Sequence, residues 1–179
     1  TMLNLGLVKI NGLDVNAQLH FVLPKNFYLT AKAQYTYQTA IDVTDPNDSY
    51  YGHQIPYIPW HSGSAVGMFG WQNDWQQYGL NYSFIYVGER YNQQENIIYN
   101  YTQPWYTHDL SIFGEWNIHP TAKRSTGVAD LPSTAKRSIS PIILRVALDI
   151  NNLLSQDYDV ILNYPMPKRN YKCTVSITY

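Results

Sequence analysis

The chain has 179 residues, with 12 Lys+Arg against 13 Asp+Glu and a formal net charge of -1. That is room for one ordinary domain, and the charge balance leaves no bulk attraction to nucleic acid. Only 14% of residues are charged while 15% are aromatic, a composition that excludes disorder; no apolar run approaches the ~20 residues of a spanning helix, and the lone Cys173 excludes an internal disulfide or a Cys-based zinc site.

In chain order the hydrophobic period is two nearly everywhere. Leu13, Val15, Ala17, Leu19 and Phe21 alternate with Asp14, Asn16, Gln18 and His20, which predicts a strand with one apolar and one polar face. Pro24-Lys25-Asn26 makes a short turn. Phe27, Leu29, Ala31, Ala33, Tyr35 and Tyr37 then alternate with polar residues, and a long polar stretch occupies residues 40–59. A glycine-blurred strand covers 62–71, and Gln72-Asn73-Asp74 turns into a strand carrying Tyr78, Leu80, Tyr82, Phe84 and Tyr86 on its apolar face. A second long loop, 89–104, is crowded with Asn, Gln and Tyr. Tyr106, His108, Leu110, Ile112, Trp116 and Ile118 mark the next strand. After an irregular segment, residues 142–151 and 171–179 give the two cleanest alternations.

That makes seven strands of about ten residues or more and no convincing helix, with short turns at one end and long loops at the other. Soluble strands average roughly 5–6 residues, whereas about 9–11 cross a bilayer. Aromatics bracket the apolar faces: Phe21, Phe27, Trp116 and Tyr179 at one end, Tyr37, Tyr86, Tyr106 and Tyr171 at the other. This pattern predicts an all-β, antiparallel transmembrane barrel in a bacterial outer membrane rather than a soluble sandwich. Bacterial single-chain barrels have even strand numbers, so seven strands are expected to be part of a longer chain. The opening residues, Thr1-Met2-Leu3-Asn4, lack a basic region followed by an apolar core. The missing strands are therefore expected upstream. An isolated seven-stranded sheet would expose two edges and a wide apolar face, which favours association.

Four segments carry a resemblance. They are Ile55-Pro56-Tyr57-Ile58-Pro59-Trp60-His61, Tyr86-Val87-Gly88-Glu89-Arg90-Tyr91, the run from Leu148 through Asn151-Asn152 to Tyr158, and Tyr164-Pro165-Met166-Pro167-Lys168-Arg169-Asn170-Tyr171. In this order, before a final aromatic-ended strand, they resemble the C-terminal part of TonB-dependent outer-membrane receptors of the siderophore and cobalamin type. The resemblance implies a 22-stranded parent barrel, with an N-terminal plug that is absent here. It also implies uptake of a metal chelate or corrinoid, driven by TonB acting on the plug. In such receptors a terminal strand like Val175, Ile177 and Tyr179 signals barrel assembly. Lys168 and Thr174 stand where this family commonly has Gly.

The long loops are where recognition is expected, because Tyr, Trp and Asn give rigid surface and adaptable hydrogen bonding. The candidates are Asp45, Asp48, Tyr50, Tyr51 and His53 in the first loop, and Glu95, Tyr99, Tyr101 and Trp105 in the second. Lys32, Asp109, Glu115, Arg145, Asp149 and Lys172 alternate onto the polar face and are read as a mixed-charge lumen wall. Leu144, Val146, Leu148, Val175 and Ile177 are expected to face lipid. His20, His53, His61, His108 and His119 lack metal-site spacing and are read as isolated polar residues, so no cofactor or metal is expected. No nucleophile elbow or phosphate loop is present. Two other readings remain open: an outer-membrane enzyme, which needs a Ser/His or Asp/His constellation at one rim, and a small structural or adhesive barrel. The irregular segment 120–140 holds a repeat, Thr121-Ala122-Lys123-Arg124-Ser125 and Thr134-Ala135-Lys136-Arg137-Ser138, to which no function is assigned.

Overall fold

The computed structural model describes residues 6–118 and 142–179; His119 and the repeated segment lie outside the described residues. In chain order the strands are β1 (Val8–Leu23), β2 (Phe27–Asp42), β3 (His61–Gln72), β4 (Gln76–Val87), β5 (Arg90–Tyr91), β6 (Tyr101–Thr102), β7 (Trp105–Ile118), β8 (Ile142–Asn151), β9 (Asp159–Ile161), β10 (Tyr164–Pro165) and β11 (Asn170–Thr178). Seven of them form one antiparallel sheet in the order β1-β2-β3-β4-β7-β8-β11, and two short hairpins, β5-β6 and β9-β10, sit in the loops. The large sheet is open, with β1 and β11 as its edges.

The seven long strands match the alternation in the sequence, with one extension. The 16-residue β1 begins at Val8, pairing Val8 with Asp42 and Gly12 with Gln38. Here Val8 and Ile10 fall in phase with Asp14 rather than with Leu13, so the period-two signal changes sign. Sixteen residues span about 50 Å at ~3.3 Å each, more than the about 9–11 residues a bilayer needs. The β1-β2 hairpin is therefore longer than a bilayer crossing requires, and the alternation is not held to one phase along its whole length.

Register places the two faces unambiguously, because directly opposed residues share a face. One row runs Leu29, Phe69, Leu80, Ile112, Leu148, Cys173 across β2, β3, β4, β7, β8 and β11. The neighbouring rungs on the other face include Ser111 opposite Asp149, Asp149 opposite Lys172, and Glu115 opposite Arg145. Leu144, Val146, Leu148, Val175 and Ile177 thus share the apolar face, while Lys32, Asp109, Glu115, Arg145, Asp149, Lys172 and Thr174 share the polar one. Polar-face pairs are used locally. Thr36 donates to Asp14 at 2.6 Å, Gln77 donates to the Tyr28 hydroxyl at 2.7 Å, and Arg145 bridges to Glu115 at 3.3 Å while lying 4.2 Å over the Phe113 ring.

A conventional core is nearly absent. Among the described residues the buried hydrophobic side chains are Ala40, Ile55 and Phe113, while Leu13, Leu19, Ile112, Leu148, Val175 and Ile177 are each more than half exposed. One whole face of large apolar side chains is thus left uncovered by the chain itself. Aromatic rings gather at both ends of it. Phe27 stacks on Phe69 and Tyr78 packs between Trp71 and Trp116 near the short turns; Tyr35 and Tyr37 flank His61, and Phe84 and Tyr106 flank His108, near the long loops.

Candidate functional site

Short connections at residues 24–26 and 73–75 mark one end of the sheet. The connections 43–60, 88–104 and 152–169 gather at the other, because antiparallel strands of similar length return their loops to the same end. The four sequence segments that carry the resemblance all meet here, and each has a physical task.

The first two hold each other. Ile55 donates its backbone N–H to Ala40, Tyr57 donates to the carbonyl of Tyr91 from a left-handed φ of 63°, and Trp60 meets Tyr91 edge-on at 5.7 Å. Gly88 donates to the carbonyl of His61 at 2.8 Å, and a Cβ at that glycine would stand 2.6 Å from the same oxygen, so only Gly fits. The last two are pinned by Asn152. It is 4% exposed, sits at φ 51°, and donates its side-chain amide to the carbonyls of Gln156 and Pro167 while accepting from the N–H of Gln156. Its own N–H goes to the Asp109 carboxylate at 2.7 Å. Arg169 donates to Leu153. Lys168 does not adopt a positive φ and pairs with Asp157 at 3.1 Å, so this position does not need the glycine that the family often has.

The two loops that the sequence singled out are zipped together. The Gln54 N–H donates to the Asn96 side-chain oxygen at 2.6 Å, and the Asn96 amide donates back to the Gln54 carbonyl at 3.1 Å, a side chain imitating a strand partner. The Gln54 side chain, buried, accepts from Ala40 and donates to Ile58. His53 holds the Gln94 carbonyl through Nδ1 at 3.0 Å, which requires a proton on that nitrogen.

The sequence candidates therefore divide. Asp45 and Asp48 close their own turn, accepting from the N–H groups of Asn47 and Tyr50. Tyr50 packs on His53 at 6.3 Å. Tyr51, Glu95 and Tyr99 stand exposed, Tyr99 at 88%. Tyr101 donates to Glu89 at 2.9 Å, and that hydrogen bond pushes its phenol above the usual range. Trp105 stacks on Tyr158 with 4.5 Å between ring centres, where burial, followed by the Asp109 charge, raises the Tyr158 phenol. Asp109 serves as the anchor of Asn152, and Glu115 is held by Arg145.

Several residues at this end were not singled out as site residues in the sequence. Arg90 is 2% exposed and reaches from β5 to the β9-β10 hairpin, donating to the carbonyls of Asp159 and Val160 at 2.9 Å each. Burial lowers its pKa, partly offset by the nearby Tyr57. Tyr158, Thr102 and the whole third loop, 152–169, also belong to this end. They join residues 101–105 around a cleft of about 460 Å³. A buried charge inside a short aromatic segment was the available signal for Arg90; nothing local marks Thr102. Among the described residues no cluster of three or more His, Cys, Asp or Glu stands together as a metal site.

Comparison with known proteins agrees with this architecture. No curated protein matches the chain. Among solved structures, the ferric preacinetobactin receptor BauA from Acinetobacter baumannii superposes with a TM-score of 0.59 at 10% identity, covering 95% of this chain and 27% of that one. At that identity the likeness shows the fold alone, and the chain spans about a quarter of that receptor's length. The profile of the family described as TonB dependent receptor-like, beta-barrel matches residues 1–153. The chain belongs to the TonB-dependent receptor β-barrel family.

Proposed function

We propose that this chain supplies the closing seven strands of a 22-stranded outer-membrane receptor that takes up a metal chelate, of the ferric siderophore kind, or a corrinoid. A plug inside the lumen would face the mixed-charge wall of Lys32, Asp109, Glu115, Arg145, Asp149 and Lys172, and TonB would act through that plug. The observation that carries the reading is the division of one sheet: an uncovered apolar face for lipid, a polar face for the lumen, and three Tyr-bearing loops gathered at one end. The family and the likeness to a ferric siderophore receptor support it. Tyr51, Glu95, Tyr99, Tyr101 and Trp105 present the loop surface to a ligand. Asp45, Asp48, Tyr50 and His53 shape that surface through contacts within and between the loops. Val175, Ile177 and Tyr179 carry the assembly signal.

The test is uptake of radioactive iron by iron-starved cells expressing the full-length parent, across catecholate, hydroxamate and carboxylate chelates, with labelled cobalamin in parallel. Uptake of one class that disappears without TonB supports the receptor. Absence of binding and uptake for every class overturns it. Deleting Tyr179 should lower the amount of heat-modifiable barrel while leaving ligand affinity per folded molecule unchanged; normal assembly would remove the signal from this strand.

A further inference from the structure

The apolar face of the large sheet carries two imidazoles, and they are built alike. His61 lies directly opposite Tyr37, and His108 lies directly opposite Phe84. The ring centres are 5.1 Å and 5.0 Å apart. In both cases Nδ1 shares a hydrogen bond with the tyrosine two positions nearer the short turns on the neighbouring strand, Tyr35 at 2.7 Å and Tyr82 at 2.5 Å. Both imidazoles are half-buried. One three-residue arrangement thus occurs twice, on two separate strand pairs, toward the long-loop end of the face that the chain leaves uncovered.

Each pair keeps one unmet donor. A phenol O–H and an imidazole N–H are two donors, and their mutual hydrogen bond uses only one. The imidazole nitrogen is the stronger acceptor and the phenol the stronger donor, so the tyrosine donates to Nδ1 and the proton of a neutral ring sits on Nε2. A charged ring carries a proton there as well. Among the described residues Nε2 of neither histidine has a hydrogen-bond partner, and neither is sealed from the surface. The charge on this face has one sign. The carboxylates on the strands of the large sheet, Asp14, Asp42, Asp109, Glu115 and Asp149, all stand on the polar face. Besides the imidazoles, the charged side chain that these strands place on the apolar face is Lys9, exposed and four residues beyond Leu13, on whose rung Tyr37 and His61 lie. Two unmet donors and a cation on the outer aromatic band call for a group that only accepts hydrogen bonds and is negatively charged. At the edge of a bilayer that group is a lipid phosphate; ester oxygens accept but carry no charge.

We propose that the pairs Tyr35–His61 and Tyr82–His108 each donate, through Nε2, to the phosphate of a lipid headgroup. The inference rests on the reading that the apolar face meets lipid, and it adds to that face a headgroup chemistry at two named positions.

The experiment uses the full-length receptor, stripped of lipid in a non-ionic detergent and titrated with dioleoylphosphatidic acid and with dioleoylglycerol, which share chains and esters and differ in the phosphate. Native mass spectrometry counts the lipids bound. His61→Phe and His108→Phe keep a planar ring among the same aromatic neighbours and remove the donor; heat-modifiable mobility verifies that each is folded. His20→Phe is the control, because His20 bonds to Thr30 on the polar face. The native receptor should bind phosphatidic acid more tightly than diacylglycerol. Each of the two variants should weaken phosphatidic acid at its own site about 10-fold, the range of one hydrogen bond to a charged group, and the double variant should bring the two lipids level; His20→Phe should change neither. Equal binding of both lipids by the native receptor overturns the phosphate sites. So does a double variant that binds phosphatidic acid as the native receptor does, or an equal loss in His20→Phe. Those results leave TonB-dependent chelate uptake standing, and the lipid face is judged separately by the cost of Leu148→Arg in vesicles. Phosphatidic acid binding that is lost with the histidines, in a receptor that takes up no chelate, upholds the sites and removes the transport reading instead.

Discussion

Asn152 does three things that no other residue type does together. Its amide bridges Gln156 and Pro167, its oxygen accepts from Gln156, and its backbone sits at φ 51°. Asn tolerates the left-handed region because its short polar side chain bonds locally. Asn152→Ala removes the hydrogen bonds and adds a backbone penalty of roughly 1–2 kcal/mol. Asn152→Gly removes the hydrogen bonds but not the backbone fit. Equilibrium urea unfolding of the vesicle-refolded receptor should therefore rank native above Gly above Ala; Ala equal to native would show that the third loop does not depend on this side chain. Gly79 poses a packing question of the same size. It lies directly opposite Phe113, whose ring occupies the space a Cβ would take and in turn supports Arg145. This is an aromatic side chain covering a strand glycine. Gly79→Ala should cost about 1–3 kcal/mol by overpacking. In a double-mutant cycle Phe113→Ala should abolish most of that cost, since the atoms in conflict are then gone. A fully additive pair would refute the contact.

At the level of elements, the loops form one unit because side chains replace strand partners. Asn96 exchanges two hydrogen bonds with the Gln54 backbone, and His53 holds Gln94. Asn96→Ala leaves the Gln54 N–H and carbonyl without their partner and should release both loops. Limited proteolysis of intact cells should then cut within 43–60 and 88–104 faster than in the native receptor, while the short turns at 24–26 and 73–75, at the opposite end of the sheet, stay uncut. Cutting confined to those turns would reverse the topology. The same elements show what the sequence could reveal. Strands were readable because one apolar and one polar face impose a strict period of two, from Leu13 to Phe21 and from Tyr171 to Tyr179. The signal failed at Val8 and Ile10, where the phase of the alternation changes. Loop residues were harder to read. Tyr99 was visible as an exposed aromatic, but Asp45 and Asp48, plausible as ligands by residue type, are used in their own turn. Arg90 and Thr102 become neighbours only through pairing across the second loop, with the third loop closing over Arg90, and no spacing in the chain announces that.

For the whole molecule, the question is which solvent covers the apolar face. Leu148 is 57% exposed, in the middle of β8. Its rung lies between the pair Trp116–Leu144 and the pair Ile150–Tyr171, hence between the aromatic bands. If water covered this face, Leu148→Arg would be nearly neutral, because an exposed position on a soluble sheet tolerates charge. If lipid covers it, an arginine near the bilayer midplane costs about 2–4 kcal/mol. Ala147 is the internal control, one residue along the same strand on the polar face, opposite Phe113 and Thr174. An arginine there joins the polar face, where Arg145, Asp149 and Lys172 already stand. In the full-length receptor refolded into phosphatidylcholine vesicles, Leu148→Arg should lower unfolding stability by that amount and reduce the folded fraction in cells. Ala147→Arg should change stability by less, with any loss coming from crowding against Phe113. In lipid-free detergent, where the micelle adapts around a charge, the gap between the two variants should narrow. A Leu148→Arg receptor as stable in vesicles as the native one would mean that this face does not meet hydrocarbon, and the division of the sheet into lipid and lumen sides would fall with it.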